Sequence, residues 1–483
     1  MNMKKALLFI AALSCCLPGS AKITLPSLLG DGMVLQRDAT VRLWGNSDRS
    51  KVTVVTSWDG KKYSVRPDGT GGWKVQVSTP VSGGGPYTVT ISDGDKQVLR
   101  DVYVGEVWIC SGQSNMEMPL GGWEHQSVDN SYETIMDADS TPLVRMFTVA
   151  RNNADVPQED CRGEWKTSTP ENLRFFSAAA YHFGKTLSRF MPDMPIGLIA
   201  TDWGGTPIEA WLSVRALENT PGINLPLSKS LYWEEVHTGQ LFNGMIYPLR
   251  RFAARGFIWY QGEANLVNSA DYAAITVSMV NEWRTLWGNP DMPYYLVQIA
   301  PYSYDDPEGC GLPLLVEQQY RIPDLLPHCG VASTTDIGHR DCIHPPFKKE
   351  VGERLAWLAL ANDYGFGGLP VAPRYKSMKK EGSSIRLSFM TGPAAGDGFR
   401  IFGPHHKLEP TGFEVAGPDK VWYPANAEIE WDTNDILVSS PDVPDPVAAR
   451  YAFHNWPDGA NVVTDNGLPL PMFRTGTGSV GDK

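Results

Sequence analysis

Residues 102–116, Val-Tyr-Val-Gly-Glu-Val-Trp-Ile-Cys-Ser-Gly-Gln-Ser-Asn-Met, run a buried-strand pattern directly into a small polar turn. Val102, Val104, Val107, Ile109 and Cys110 read as a short apolar, partly β-branched strand, and Ser111, Gly112, Gln113, Ser114 and Asn115 end it. Ser114 is therefore expected on a loop at a strand's C-terminal end, where ligands meet the chain in an open parallel sheet. A hydroxyl there can be a nucleophile. The same residues are also ordinary turn chemistry, since Gly tolerates positive φ and Ser and Asn bond locally to the backbone. The segment is not a Gly-x-Ser-x-Gly elbow, because Met116 stands where the second Gly would be. The rest of the chain has to decide between turn and nucleophile.

From about 102 to 365, strand patterns alternate with helical ones, the mark of a layered α/β domain with a parallel sheet. Further strands are expected at Val144 to Val149, Ile196 to Asp202, Gly256 to Tyr260, Tyr294 to Ile299 and Val331 to Thr335. Between them, Ala180, Phe183, Leu187 and Phe190 fall on one helix face, as do Ile275, Met279 and Trp283 with Asp271 placed as an N-cap. Val351, Leu355, Leu358 and Ala359 mark a last helix that Pro345 and Pro346 could start. Residues 22–101 read as a small β-sandwich of alternating strands separated by Gly, Asp, Asn and Pro clusters, and residues 366–483 as a second β-rich region.

A chain of 483 residues is long for one domain, so two or three are expected. Its 42% hydrophobic and 20% charged residues describe a globular protein, and a formal charge of -12 argues against nucleic-acid binding. Residues 1–21 carry Lys4 and Lys5, an apolar run from Ala6 to Leu17, then Pro18, Gly19, Ser20 and Ala21, the layout of a secretory signal peptide. The run is too short to span a bilayer. The expectation is an exported, periplasmic or extracellular protein beginning near Lys22, with Cys15 and Cys16 leaving a lipoprotein anchor open. Of the remaining cysteines, Cys110, Cys161, Cys310, Cys329 and Cys342, none has metal-motif spacing, and Cys329 and Cys342 could be either bridged or free. No metal or organic cofactor is expected.

Four polar clusters fall where parallel strands should end: Gly112 to Asn115, Thr201 to Thr206, Tyr260 to Asn265 and Asp336 to Pro345. Their chemistry is that of acyl transfer. A serine hydroxyl is a weak nucleophile until an imidazole takes its proton, and a carboxylate fixes the imidazole's tautomer. Asp341 and His344, three residues apart, could supply that pair. The oxyanion needs preorganised donors, for which Gly204 or Gly205, the Ser114 N–H and the Gln261 amide are candidates.

The set GQSNM, DWGGTPIEAW, WYQGEAN and DCIHP resembles the block pattern of SGNH-type (GDSL-like) carbohydrate esterases, specifically the sialate O-acetylesterase family. The segments Leu25-Pro26, Asp31 to Gln36 and Asn466 to Thr475 are similar to the flanking β regions of bacterial members, so the resemblance covers nearly the whole mature chain. It implies a flavodoxin-like three-layer α/β/α domain with flanking β-sandwich regions. It also implies Ser114 as nucleophile, His344 as general base and then acid, and Asp341 as its orienter with Asp336 as fallback. Gly205, in preference to Gly204, joins the Ser114 N–H as oxyanion donor. In the third block Gln261-Gly262-Glu263 replaces the Gly-x-Asn-Asp form, which favours Gln261 as the further donor over Asn265.

The resemblance thus implies an exported serine esterase acting on O-acetylated sugars through an acetyl-enzyme, with sialic acid first and acetylated xylan or another plant glycan second. Sialate carries a carboxylate, and Arg145, Arg151, Arg174 and Arg340 are the available cations. Trp123, Trp203 and Trp211 read as core or as a sugar platform, Glu263 as a hydrogen-bond partner, His339 as a loop residue and Asp202 as a strand-end cap. Two other classes compete: a non-catalytic glycan-binding protein, and a glycoside hydrolase whose carboxylates, Glu263 and Asp341, would stand roughly 5 to 9.5 Å apart.

Overall fold

The sheet that carries the polar clusters is organised by one strand, β1 (Lys96–Gly112), seventeen residues long. In the computed structural model, which describes residues 23–138, 143–223, 236–306, 308–390, 398–401 and 409–476, β1 is joined by β2 (Val144–Thr148), β3 (Ile196–Asp202), β4 (Gly256–Tyr260), β5 (Tyr294–Val297) and β6 (Cys329–Ala332). These six strands are parallel in the order β2-β3-β1-β4-β5-β6, with Trp165–Thr167 antiparallel at the β2 edge. The chain moves to one side of β1 for β2 and β3 and then to the other for β4 to β6. The order reverses at β1, so a crevice opens where the C-terminal ends of β1, β3 and β4 lie side by side. The expected leader, residues 1–21 with Cys15 and Cys16, lies outside the described residues.

Both faces of this sheet are covered, as the unbroken apolar runs of its strands require. Because successive residues face opposite sides, Val107 and Ile109 of β1 join Phe257 and Trp259 of β4 in one core, while Trp108 and Cys110 join Ile258 and Tyr260 in another. The first core is closed by helices α3 (Tyr272–Trp287) and α4 (Gly311–Leu325), the second by α2 (Ala178–Phe190) and α5 (Lys348–Asp363). This is the three-layer α/β/α arrangement. Ile275, Met279 and Trp283 are fully buried on α3, as their spacing predicts. Phe190, expected on the buried face of α2, is 38% exposed at that helix's last residue. Asp271 makes no side-chain cap, since a 3₁₀ segment, Glu263–Asp271, runs straight into α3 and already feeds its first turn. Pro345 and Pro346 precede α5 rather than open it: the helix begins at Lys348, whose N–H reaches the Pro346 carbonyl.

The N-terminal half of β1 pairs antiparallel with Gly84–Ser92 and parallel with Val34–Gln36, so the β region before residue 101 and the parallel sheet share one strand. Beyond α5 the chain forms further antiparallel sheets, among them Arg374–Glu381, Ser384–Met390, Asp435–Ser439 and Asn426–Glu430 in one, and Phe413–Ala416 and Ala448–Tyr451 in another. All five described cysteines are free, so Cys329 and Cys342 are not bridged. No helix among the described residues is long and apolar enough to cross a membrane.

Candidate active site

Gly112 ends β1 with φ +144, and a Cβ there would stand 2.1 Å from the Tyr260 carbonyl oxygen. The absent side chain lets the tips of β1 and β4 close on each other, with Gln113 N–H donating to Tyr260 O at 3.0 Å. The Trp203 N–H donates to Gly112 O at 3.1 Å, which draws in the tip of β3. Ser114 then opens a single helical turn, α1 (Ser114–Glu117), rather than lying in an irregular loop. Its N–H, at the first helical position, has no intrahelical partner.

The residues flanking Ser114 tie the four clusters together. Gln113 Oε1 accepts from the N–H groups of Gly262 and Ala264, both at 3.3 Å. Asn115, fully buried, donates from Nδ2 to Glu263 Oε1 at 2.5 Å and to the Ile343 carbonyl at 3.0 Å, and its Oδ1 accepts from Lys348 Nζ at 2.5 Å. Glu117 accepts the Gly204 N–H at 2.7 Å and pairs with Arg151. Ser114 is thus held between a residue bonded to the third cluster and a residue bonded to the third and fourth. Gly204 lies against it: a Cβ on Gly204 would be 3.2 Å from Ser114 Cβ. The Gly204 N–H is taken by Glu117, whereas the Gly205 N–H, in a residue with φ +73, has no acceptor among the described residues.

His344 follows Ile343 on the loop that enters α5. Its Nδ1 lies 2.7 Å from Gln126 Oε1, and its ring meets the Trp123 indole edge-on at 4.9 Å. A carbonyl oxygen only accepts, so Nδ1 carries the proton and Nε2 keeps its lone pair. Burial, reinforced by the Lys348 charge, pulls the imidazole down to about 4. Lys348 is itself fully buried and brought down to about 7 by burial, against the opposing pull of Glu263 and Cys342. Burial raises the Glu263 carboxyl, against hydrogen bonds from its own backbone and Asn115 and the charge of Lys348.

Asp341 is exposed, and its backbone N–H donates to His339 Nδ1 at 3.2 Å. The place expected for its carboxylate, at His344 Nδ1, is occupied by Gln126. Asp336 is engaged by Arg354 through two hydrogen bonds of 2.7 Å. The Gln261 amide also departs from expectation: Nε2 donates to Asn265 Oδ1 at 2.7 Å and to Thr206 O at 3.2 Å, so it braces the second and third clusters instead of facing Ser114. Asn265 is consumed in that brace, accepting from Ile208 N–H at 2.9 Å and donating to Glu209 at 2.8 Å. Glu263 is the hydrogen-bond partner the residues suggest, and Trp211 is core at 0% exposure.

Of the four arginines, Arg151 is paired with Glu117 of the serine turn, half-exposed and 5.2 Å over the Trp203 ring. Arg145 is buried with Asp101 near the opposite end of the sheet, and Arg174 lies over Phe175. Asp202, buried beside Glu117, has its carboxyl held well above the usual carboxylate range by burial and by the Glu117 charge. Gln126, Lys348 and Glu117 carry no sequence signal of a role. Asn115 lies inside the GQSNM block, where its position beside the serine was the available clue.

Residues 104–360 match the family model described as carbohydrate esterase, sialic acid-specific acetylesterase. The chain is 30% identical over 380 residues to a sialate O-acetylesterase of Homo sapiens, covering 70% of this chain and 71% of that one. A sialate O-acetylesterase of Mus musculus is 29% identical over 519 residues, covering 92% and 93%. Among solved structures, a carbohydrate acetylesterase from Xanthomonas citri is similar with a TM-score of 0.84 at 35% identity, covering 94% of this chain and 100% of that one.

Proposed function

We propose that this chain, which belongs to the carbohydrate esterase family of sialic acid-specific acetylesterases, removes O-acetyl groups from sialic acids by serine catalysis. It is a carboxylic ester hydrolase acting on sugars. In the mechanism that this geometry supports, His344 Nε2 takes the Ser114 hydroxyl proton as Oγ bonds to the acetyl carbon. The resulting oxyanion is received by the N–H groups of Ser114 and Gly205. Collapse breaks the bond to the sugar oxygen, which leaves with the proton from His344, and water then attacks the acetyl-Ser114 by the reverse proton route. The observation that carries this reading is Asn115, which bonds the nucleophile turn to the carbonyl immediately before His344.

The names of the relatives support sialate as the substrate, and so does Arg151, a half-exposed cation whose remaining donors could meet a carboxylate. One observation favours a neutral acetylated glycan such as xylan as the second reading: Arg151 is already paired with Glu117, so the mouth has no surplus positive charge there. The signal-like layout of residues 1–21 supports export, and carrier-protein-free N-terminal sequencing of the mature protein would test it.

The decisive experiment measures acetate release from O-acetylated sialic acids and acetylated xylan by the mature protein and by Ser114→Ala. Release from the sialic acids is expected, with a loss of at least about a thousandfold in the variant. Release from xylan alone would keep the mechanism and exchange the substrate. Activity that survives in Ser114→Ala would overturn serine catalysis.

A further inference from the structure

Lys348 is an unusual component for a sheet-and-helix interior. It is 0% exposed, at the first position of α5, and four residues beyond His344. Leaving a lysine ammonium in such a place costs several kcal/mol unless its donors and charge are met. Groups of the active-site crevice supply one acceptor, an aromatic face and a countercharge. Nζ donates to Asn115 Oδ1 at 2.5 Å, and the other end of that amide bonds Glu263 and the Ile343 carbonyl. The Tyr260 ring stands 5.5 Å from Nζ, presenting its π face to the cation.

We propose that Lys348 is a positioning residue for the reaction: through Asn115 it fixes the His344 loop against the nucleophile turn, and its charge keeps the imidazole in the proton-accepting form. The proposal rests on His344 acting as the base. The charged and titratable groups around the pair come from each packed element. Glu263 faces Lys348 from the segment after β4, Tyr260 from β4 itself, and Cys342 from the His344 loop. His344 in turn faces the uncharged Gln126 and Trp123 from the loop after α1, and Lys348 from α5. Lys348 is therefore the cation acting on His344, and the charge of Glu263 opposes the burial that pulls the Lys348 ammonium down to about 7.

The arrangement has a chemical consequence. A second positive charge beside Lys348 is disfavoured, so His344 stays available as base in mildly acidic surroundings. Once it has taken the serine proton it is a strong acid toward the sugar oxygen, a poor leaving group that requires protonation. The cost falls on the proton-abstraction step, and the fixed geometry offsets part of it.

The test is the pH profile of kcat/KM for acetate release by the full mature chain, for wild type, Lys348→Gln and Lys348→Arg. The glutamine amide can still donate to Asn115 Oδ1 but carries no charge. The wild-type acid limb is expected near pH 4, following His344. In Lys348→Gln it should move up by roughly one unit or more, and Lys348→Arg should return it toward wild type. The double variant Lys348→Met/Glu263→Gln, which replaces the buried pair with uncharged groups, should show the same upward shift if Lys348→Gln does not fold. An NMR titration of the His344 ring in the wild type and in Lys348→Gln reads the charge directly: a midpoint that rises in the variant supports the proposal, and one that stays at the wild-type value overturns it. An unmoved acid limb with uniformly lowered kcat in Lys348→Gln would make Lys348 structural only. That outcome, in a protein whose acetate release still requires Ser114 and His344, overturns this proposal alone. Release that survives Ser114→Ala or His344→Ala overturns the serine-esterase reading beneath it.

Discussion

At His344 a neutral carbonyl does the work that a carboxylate was expected to do. Gln126 Oε1 fixes the ring and its tautomer from a residue 218 positions away, without adding a negative charge to stabilise the imidazolium. Orientation is its contribution, so Gln126→Ala is expected to lower kcat by roughly ten- to a hundredfold with little change in KM, whereas Asp341→Ala should stay near wild type. Steady-state kinetics on one acetylated sugar compares the two, and a larger loss in Asp341→Ala would restore the carboxylate as orienter. The places of Ser114 and His344 in the fold were readable from their blocks, because a serine in a small polar turn at a strand end and a histidine before a proline and a helix leave a local pattern. Gln126 was not, since a lone glutamine in a loop has no periodicity or motif, and only the folded loop brings it to the imidazole. Gln261 misled for the related reason that an amide's availability depends on which acceptors the tertiary structure sets beside it.

The strand tips show how far local pattern reaches at the scale of elements. Ile196–Asp202 and Gly256–Tyr260 are apolar on both faces and appear residue for residue as read. β1 begins six residues earlier than the pattern suggested, because the mixed stretch Lys96–Asp101 gains its ladder from Gly84–Ser92, a partner that alternation within β1 cannot reveal. The last strand ends at Ala332 instead of Thr335, since Ser333 and Thr334 turn their hydroxyls to Gln298 and leave the ladder. Where β1 ends, Gly112 is required: any Cβ meets the Tyr260 carbonyl, and the positive φ adds strain. Gly112→Ala is expected to destabilise the protein by about 3 kcal/mol or more and to separate Ser114 from the second and third clusters. Thermal unfolding checks the first effect and acetate release the second, and a variant with wild-type Tm and kcat would show that the tips can part without consequence.

Across the whole molecule, β1 is continuous from the N-terminal β region into the catalytic sheet, so a boundary drawn at 101 falls within one strand. Glu106, 0% exposed, marks the junction. It accepts from Gln36 at 3.1 Å and Arg37 at 2.5 Å on the N-terminal side, from Arg255 at 2.8 Å on the approach to β4, and from Tyr364 at 3.0 Å beyond α5. Burial pushes its carboxyl up, but the two guanidinium groups and the Gln36 amide outweigh that and hold it below the usual range. Glu106→Gln leaves two arginines facing one neutral amide, so a loss of about 3 kcal/mol is expected in denaturant unfolding. A loss below about 1 kcal/mol would mean that water replaces the carboxylate at the junction.

The sequence alone determined the alternation of strands and helices, the sheet edge at which the polar clusters gather, and the serine and histidine among them. Each of these is written in periodicity, turn composition or a contiguous block, which are properties of neighbouring residues. Only the tertiary structure decided that Gln126 holds the imidazole, that Asn115 joins Glu263, Lys348 and the His344 loop, that Arg151 pairs with Glu117 beside the serine turn, and that Glu106 joins the N-terminal β region to the parallel sheet. Those are contacts between polar groups far apart in the chain. Which donor meets which acceptor is fixed by the requirement that buried polar groups be satisfied together, and that condition acts only once the sheet and its helices have excluded water.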